Sequence, residues 1–241
     1  MSFWQDIINF ILPPRCSICG KVLNTDKGLC DDCISQIDFL NGAVCAHCGQ
    51  PLGEIITSEN KKILFAECLR KPRHLFRYSR SAYFYDEFSK KLIIDFKFND
   101  RTDLAPLLAK IIYVAGKDLF ASGIDVIIPI PLHHTRLIKR RYNQSALLAK
   151  ELGKLTGIKV DYTSVIKTKM TRPQVECNGV ERLKNVKGSF TVKKTENIKG
   201  KRVLLVDDVM TTGSTLKECA LTIKKARPKS IDNLTIARVN S

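Results

Sequence analysis

Thirteen residues near the carboxyl end of the chain, residues 203–215, constrain the fold more than any other feature. Their sequence, VLLVDDVMTTGST, joins an apolar run, two adjacent carboxylates and a turn of hydroxyl residues and glycine. Residues 203–206 form a short, largely β-branched apolar run, which is typical of a strand buried on both faces of a parallel sheet, and helical spacing follows Thr215. A loop between such a strand and helix lies at the carboxyl edge of an open α/β sheet, where ligand crevices form.

The residue types in this loop suit a ribose 5-phosphate. Small residues let the backbone wrap closely around a phosphate, and hydroxyls add donors; the residues concerned are Thr211, Thr212, Gly213, Ser214 and Thr215. Asp207 and Asp208 then face the sugar, where they accept hydrogen bonds from vicinal hydroxyls and stabilise positive charge at the anomeric carbon. Simpler interpretations stay open: the carboxylates start a turn or bind Mg²⁺ for another phosphate chemistry, and the hydroxyl run is a helix cap.

The same string resembles the phosphoribosyl-diphosphate (PRPP) binding motif of type I phosphoribosyltransferases. That motif has an apolar strand, two acidic residues, a short apolar pair, and then Thr-Gly with a small hydroxyl residue. Residues 203–215 match it throughout. The resemblance implies an α/β fold in which helices flank a parallel sheet.

Length and charge bound the organisation of the chain. Its 241 residues suffice for one substantial core and a small appendage, and the composition changes after residues 71–73, so we expect two domains, at residues 1–74 and 75–241. The formal net charge of +16 favours polyanionic partners such as nucleic acid or phosphorylated metabolites.

The amino terminus is apolar but does not match a signal peptide. Residues 1–12 lack a basic lead and a small-residue cleavage site, and their spacing predicts a short amphipathic helix, docked on the protein's own body or touching a membrane surface. No apolar run approaches the length of a membrane span, so we expect no stable membrane insertion. Nine cysteines, mostly in Cys-x-x-Cys units, indicate metal rather than disulfides in a reducing cytoplasm.

Three Cys-x-x-Cys units predict zinc ribbons. Glycine follows the first and third units but not the second, which indicates that the units pair in sequence order. One closed, four-thiolate zinc site is therefore assigned to Cys16, Cys19, Cys30 and Cys33. This zinc is expected to be structural, because an ion with four protein ligands has no open position for chemistry. A redox role lacks the surrounding βαβ pattern.

The second ribbon is incomplete. An intact ribbon needs a cysteine at position 65, but Phe65 stands there, so only three thiolates are at hand, those of Cys45, Cys48 and Cys68. This second site is vacant, binds metal weakly through three thiolates, or takes a further ligand from His47 or His74.

Strand and helix patterns alternate after the ribbons. The sequence predicts strands at residues 83–85 and 125–131, and helices at residues 86–98, 103–119 and 146–152.

A basic segment follows the second of these strands. Pro129 and Pro131 stop sheet pairing and predict an exposed turn, which leads into four cations, Arg136, Lys139, Arg140 and Arg141. Basic runs are usually solvated faces, but a pyrophosphate leaving group needs cations, backbone donors and Mg²⁺. We expect at least one of the four to contact a ligand.

Residues 171–190 are polar and basic, with no regular pattern of useful length. They predict either an ordinary surface loop or a lid that closes over the ligand and excludes water. In a lid, Gln174, Arg182 and Asn185 reach the substrate, and Arg182 is a candidate catalytic cation.

Four features together resemble the ComF family over nearly the whole chain. They are the cysteine ribbon, PIPL with RRYNQS at residues 129–145, RPQ with ERLKNV and a final phenylalanine at residues 172–190, and the motif at residues 203–215. Members look like a double zinc ribbon fused to a phosphoribosyltransferase-type domain and are associated with bacterial natural competence. This chain departs from the pattern at position 65.

Carried onto this chain, the resemblance implies a role for each part of the motif. Asp207 and Asp208 bind ribose hydroxyls, and residues 211–215 hold the 5-phosphate. Pyrophosphate and Mg²⁺ lie against the segment that runs from Pro131 and Leu132 into the basic residues. The implied partners are PRPP, incoming single-stranded DNA, and a competence helicase or DNA-processing proteins, all in the cytoplasm.

Two classes of function stay open, because no segment supplies an obvious base-recognising hood. The protein transfers phosphoribose to an unidentified acceptor or binds PRPP as a signal. Alternatively, it is a non-catalytic zinc-ribbon adaptor for nucleic acid with a relic PRPP site. The adaptor is supported by the charge and by aromatic residues interleaved with basic ones at residues 73–80, a pattern suited to backbone contact and base stacking.

Overall fold

The computed structural model describes residues 13–24, 28–52, 66–70, 74–170 and 186–240. The helix expected at residues 1–12 lies outside these ranges. In the described part of the ribbon region the chain forms two short helices, α1 (Asp31–Ser35) and α2 (Ala66–Leu69). Within the described ranges, no helix is both long enough and apolar enough to cross a membrane.

The rest of the described chain alternates between strands and helices. Its elements are β1 (Ser79–Phe84), α3 (Lys90–Phe98), α4 (Ala105–Ala115), α5 (Lys117–Ala121), β2 (Val126–Pro129), α6 (His134–Arg140), α7 (Gln144–Thr156), β3 (Val165–Lys167), β4 (Phe190–Val192), β5 (Arg202–Met210), α8 (Ser214–Lys224) and β6 (Ser230–Arg238). Short 3-10 turns occur at Thr102–Leu104 and Thr195–Asn197.

Four strands form one parallel sheet in the order β1-β6-β5-β2, and β3 and β4 form a separate antiparallel pair. Side chains of β5 alternate between two cores. Leu204 and Val206 pack in the core that includes α4 and α7, whereas Val203 and Leu205 pack in the core that includes α8. All four are fully buried. The predicted fold class, a parallel sheet with helices on its faces, is therefore confirmed.

The predicted helix at residues 103–119 is wrong in its continuity, because it is divided into α4 and α5 at Gly116. A Cβ atom at Gly116 would lie 3.1 Å from Leu234 Cδ2 on β6. The chain therefore passes close to the sheet at a position that favours glycine.

The exposed turn predicted after β2 is also wrong in its local structure. Sheet pairing continues to Ile130, whose amide donates to Val206 O at 2.9 Å, and after three irregular residues, 131–133, the chain forms the short helix α6. No residue of α6 is buried. The helix ends at Arg141, which has a left-handed φ of 64°. Residues 134–140 contain no proline or glycine, so nothing in their backbone opposes a helix.

The ribbon region packs along β1. Leu40 N donates to Ala82 O at 2.9 Å, and Phe84 N donates to Asp38 O at 3.0 Å, so residues 38–40 hydrogen-bond to the strand. Buried ribbon residues, including Ile18 and Ile37, belong to the same core as the helices α4 and α7.

Candidate functional site

A cavity of about 730 Å³ opens at the carboxyl ends of β2 and β5. The cavity is lined by twelve of the residues that the sequence predicts to bind ligand: Pro131, Leu132, Arg136, Lys139, Arg140, Arg141, Asp207, Asp208, Thr211, Gly213, Ser214 and Thr215. They meet because neighbouring parallel strands end at the same edge of the sheet. Thr212, which is exposed, lies in the same loop, and its Oγ1 is 2.6 Å from Ser214 Oγ. Gln174, Arg182 and Asn185 lie outside the described residues, as does most of the predicted lid.

The loop between β5 and α8 has the geometry of a phosphate cradle. Gly213 precedes the first turn of α8 and has a φ of +68°, a conformation that L-residues with a side chain adopt only with strain. The first amides of a helix have no acceptor within the helix and carry the positive end of its dipole. With the hydroxyls of Thr211 and Thr215 on the cavity wall, this loop can hold an anion.

Asp207 is held in place by a side chain from α7. Its Oδ1 accepts a hydrogen bond from Ser145 Oγ at 2.9 Å and another from the Asp208 amide at 3.0 Å. Burial and the neighbouring charge of Asp208 raise the pKa of Asp207, while the Ser145 hydroxyl and Lys97 oppose the rise. The net result is a pKa of about 7. Near neutral pH this carboxyl therefore exchanges readily between its protonated and ionised forms.

Asp208 has a different environment. Its Oδ1 lies 3.0 Å from Lys97 Nζ and accepts from the Val209 amide at 2.6 Å. Asp208 is 9% exposed, so this ion pair is largely shielded from water. Of the two adjacent carboxylates, Asp208 therefore has a cation, Lys97, as its partner, whereas Asp207 has a neutral hydroxyl, that of Ser145.

Two cavity lysines were missed by sequence reasoning. Lys97 lies in the last turn of α3, within the helix predicted at residues 86–98, but the sequence pattern assigns it no role in the site. Lys167 lies on β3, and no sequence feature places that strand beside the cavity. Burial and the nearby cation of Arg136 lower the pKa of Lys167, and the charge of Asp207 opposes them; the net result is a pKa of about 8.

Residues 142–144, at the junction of α6 and α7, hydrogen-bond to several elements that surround the site. Tyr142 Oη donates to Phe96 O at 2.8 Å, and Gln144 Nε2 donates to Lys97 O at 3.1 Å. Asn143 Nδ2 donates to Ile130 O at 3.0 Å. These bonds tie the end of α3, the end of β2 and the start of α7 together, so they fix the position from which Lys97 reaches Asp208.

The first cysteine cluster fits a structural zinc ion. The sulfurs lie within 4.8 Å of one another, and they belong to Cys16, Cys19, Cys30 and Cys33, the set assigned from the sequence. Gly20 has a φ of 77° and its amide donates to Cys16 O at 2.9 Å, which closes the tight knuckle. Burial raises the pKa of the Cys16 thiol, but amides of Cys19, Cys30 and Ile18 outweigh it and lower the pKa to about 6. Amides that favour thiolate also favour metal.

The second cluster has three converging thiols. The sulfurs of Cys45, Cys48 and Cys68 lie within 4.8 Å of one another. His47 Nδ1 lies 2.8 Å from Arg77 O, and its ring stacks on His74 with centroids 4.0 Å apart. Neither histidine belongs to a metal-binding group among the residues that the structure describes. Of the alternatives left open by the sequence, the geometry favours three thiolates.

Known proteins match both halves of the chain. The double zinc ribbon domain family matches residues 7–69, and the phosphoribosyl transferase domain family matches residues 144–241. Competence protein F of Haemophilus influenzae is 31% identical, covering 93% of this chain and 96% of its own length. DNA utilization protein YhgH of Escherichia coli K12 is 29% identical (85% and 82% covered), and competence protein ComFC of Bacillus subtilis is 25% identical (90% and 87%). Glutamine PRPP amidotransferase of B. subtilis, complexed with ADP and GMP, superimposes with a TM-score of 0.40 at 18% identity, over 58% of this chain and 30% of its own.

Proposed function

The chain belongs to the competence protein F (ComF) family, and from that membership and the cavity geometry we propose that it binds PRPP with Mg²⁺ and acts in natural competence, on imported single-stranded DNA. One observation carries the proposal. Two adjacent carboxylates, a hydroxyl-rich loop at a helix start and a set of cations, which are distant in sequence, line one cavity of about 730 Å³. These are the three chemistries that a sugar bearing a phosphate and a diphosphate requires.

The phosphate ends of PRPP occupy opposite sides of the cavity in this proposal. The 5-phosphate binds the loop at residues 211–215, through first-turn amides and hydroxyls. The diphosphate binds the side lined by Arg136 and Lys139, together with the newly recognised Lys167. Cations on that side favour departure of pyrophosphate because they neutralise the charge it gains.

The ribose lies between the phosphate sites, against the two carboxylates. Asp207 and Asp208 accept from its 2- and 3-hydroxyls, and their negative charge stabilises positive charge at the anomeric carbon. Their oxygens, with those of the diphosphate, are the hard ligands that Mg²⁺ prefers. When bound, Mg²⁺ neutralises charge on the leaving pyrophosphate.

The cellular role and the domain division rest on the relatives. The names of the relatives, competence proteins and DNA utilization proteins, support a role in the handling of DNA during competence. The family matches fall on either side of a boundary between residues 74 and 75, which supports the two proposed domains. We also propose that the protein acts in the cytoplasm, where incoming single-stranded DNA arrives.

The adaptor alternative loses one of its supports. Arg77, within the basic and aromatic stretch at residues 73–80, pairs with Asp232 at 2.6 Å. Arg80 pairs with Asp118 at 2.6 Å and donates to the carbonyl of Ala46 at 3.0 Å. These cations bind groups inside the protein, so the net charge of +16 is what still favours a nucleic-acid surface.

Calorimetry tests the PRPP site directly. PRPP with Mg²⁺ is titrated into the wild type, into an Asp207→Ala/Asp208→Ala variant, and into an Asp31→Ala/Asp32→Ala control, whose adjacent carboxylates are exposed on α1. We expect saturable binding to the wild type and the control and none to the cavity variant. Absence of binding to folded, zinc-loaded wild type would overturn the proposal.

Pyrophosphate release distinguishes a transferase from a PRPP-binding protein. Release of pyrophosphate above background with an amine, a nucleobase or single-stranded DNA as acceptor indicates transfer. If none of these acceptors causes release above background, the protein binds PRPP without transferring phosphoribose. DNA binding is tested separately by its salt dependence. Affinity for a single-stranded oligonucleotide should fall steeply between low and moderate salt, whereas a flat response would argue against phosphate contacts.

A further inference from the structure

Arg238, the last residue of β6, is a buried cation whose hydrogen bonds go to neutral oxygens of the ribbon region. It is only 7% exposed, and among the described residues no Asp or Glu lies within ion-pair distance of its guanidinium. Its Nη1 donates to Cys48 O at 3.1 Å and its Nη2 donates to Gln50 Oε1. Its Nε is buried and has no hydrogen-bond partner in the part of the chain that the structure describes. Neutral oxygens alone compensate poorly for removing a full positive charge from water.

The guanidinium packs directly on the knuckle of the second cysteine cluster. A Cβ atom built on Gly49, the residue after Cys48, would lie 3.6 Å from Arg238 Nη1. The charged group therefore abuts the turn that carries two of the three converging sulfurs, those of Cys45 and Cys48. The cysteines of that turn supply a negative charge beside the guanidinium when they are thiolates.

The double zinc ribbon family implies a zinc ion at the second cluster, where the converging thiols of Cys45, Cys48 and Cys68 fit it. We propose that Arg238 is the counter-cation of this anionic centre. Zinc(II) with three thiolates has one net negative charge, which equals the charge of the guanidinium in magnitude. Three neutral thiols without metal have none, and they leave the buried cation uncompensated. The metal and the arginine therefore stabilise each other. This inference does not depend on PRPP binding.

The pairing fastens the second ribbon to a strand end that borders the cavity. Arg238 O accepts from the Tyr85 amide at 2.7 Å, and the amide of the next residue, Val239, donates to Met210 O at 3.0 Å. Tyr85, Val239 and Met210 all line the cavity. Arg238 is thus a positioning residue whose side chain faces the metal and whose backbone faces the cavity wall.

Zinc content and release test the pairing in the full chain. We expect two zinc ions in the wild type, one of which is lost in a Cys68→Ser variant. In Arg238→Met the second ion should transfer to a colorimetric chelator at least tenfold faster, while the first is retained. Arg238→Lys keeps the charge and should release zinc as the wild type does. Arg202→Met serves as a control, because the guanidinium of Arg202 pairs with Asp125 at 2.9 Å and donates to the Ser122 carbonyl rather than to the cysteine knuckle.

A thermodynamic cycle keeps the test decisive if Arg238→Met is poorly stable. Arg238→Met is also made in a chain whose three cysteines of the second cluster are serines. We expect it to lower the melting temperature of the wild-type chain but to raise or preserve that of the triple-serine chain, because it then removes an uncompensated charge. Equal losses in both backgrounds, a wild type with one zinc ion, or a lysine variant that behaves like the methionine variant would each overturn the proposal.

Discussion

Replacing Asp207 by asparagine is expected to stabilise the folded protein, and more so at pH 8 than at pH 5.5. The pKa of this carboxyl is raised from 3.8 to about 7. The unfolded chain therefore gives up the proton at a much lower pH than the folded chain does. The resulting penalty on the fold grows as pH rises from about 4 to 7 and is complete above 7. Asparagine has no charge to bury and can still accept from Ser145.

The size of the effect follows from the shift. About three pKa units at 1.36 kcal/mol each set an upper bound of about 4 kcal/mol at pH 8. A pH of 5.5 is about 1.5 units below the pKa of Asp207 in the folded chain, so the penalty on the fold has not yet reached its full size. The stabilisation by asparagine is therefore smaller at pH 5.5 than at pH 8 by about 2 kcal/mol. Urea denaturation of the wild type and the variant at both pH values measures this difference, and titrations common to both proteins, such as those of the zinc ligands, cancel.

Asp125→Asn provides the matched control. Hydrogen bonds from the side chain and amide of Arg202 lower the pKa of Asp125 to about 2, so this group is ionised in both states at either pH. Its replacement should destabilise the protein equally at pH 5.5 and pH 8. If the change in unfolding free energy caused by Asp207→Asn were the same at both pH values, or more favourable at pH 5.5, the reasoning would be refuted.

Three further predictions follow from particular residues. PRPP affinity in the presence of Mg²⁺ should be about tenfold weaker at pH 6 than its plateau above pH 8, since the pKa of Asp207 is about 7 and its protonated form cannot accept from both hydroxyls; a flat calorimetric profile would contradict this. Gly213→Ala should lower the unfolding free energy by about 1–2 kcal/mol through its positive φ alone, because the nearest atom to a new Cβ is 3.8 Å away; a loss well above that range would reveal a clash. Gly49→Ala should destabilise the protein more than Gly20→Ala, since both have positive φ but only at Gly49 would the new Cβ lie 2.5 Å from Ser79 O; equal melting temperatures would show that this contact is unimportant.

The parts of the fold that sequence could predict are those with local signals. The strand at residues 203–206 is uniformly apolar, and the first zinc cluster is defined by spacing over eighteen residues. Each signal lies within one stretch of chain, so it can be recognised without knowledge of the tertiary structure.

The strand β6 shows why the rest escaped prediction. Asp232, Asn233 and Thr235 interrupt its apolar pattern, yet all three are fully buried. Each hydrogen-bonds to a residue on or just before β1, about 150 positions earlier: Arg77 pairs with Asp232, Asn233 Nδ2 donates to Ser79, and Ser81 bonds to Thr235. A periodicity argument treats such residues as exposed, because their partners are not in the window. Lys167 and Arg238 escaped for the same reason.

The position of β6 in the sheet has a consequence for biosynthesis. During translation β1 emerges long before β6, its main neighbour, so for most of synthesis β1 has no partner on that side. Unpaired strand edges are sites of aggregation, and closing so long a loop is slow. Residues 38–40 of the ribbon, which hydrogen-bond to the other edge of β1, are made first. A ribbon that has already taken up zinc can therefore shield the nascent strand, which ties the yield of folded protein to the zinc supply while the chain is being made.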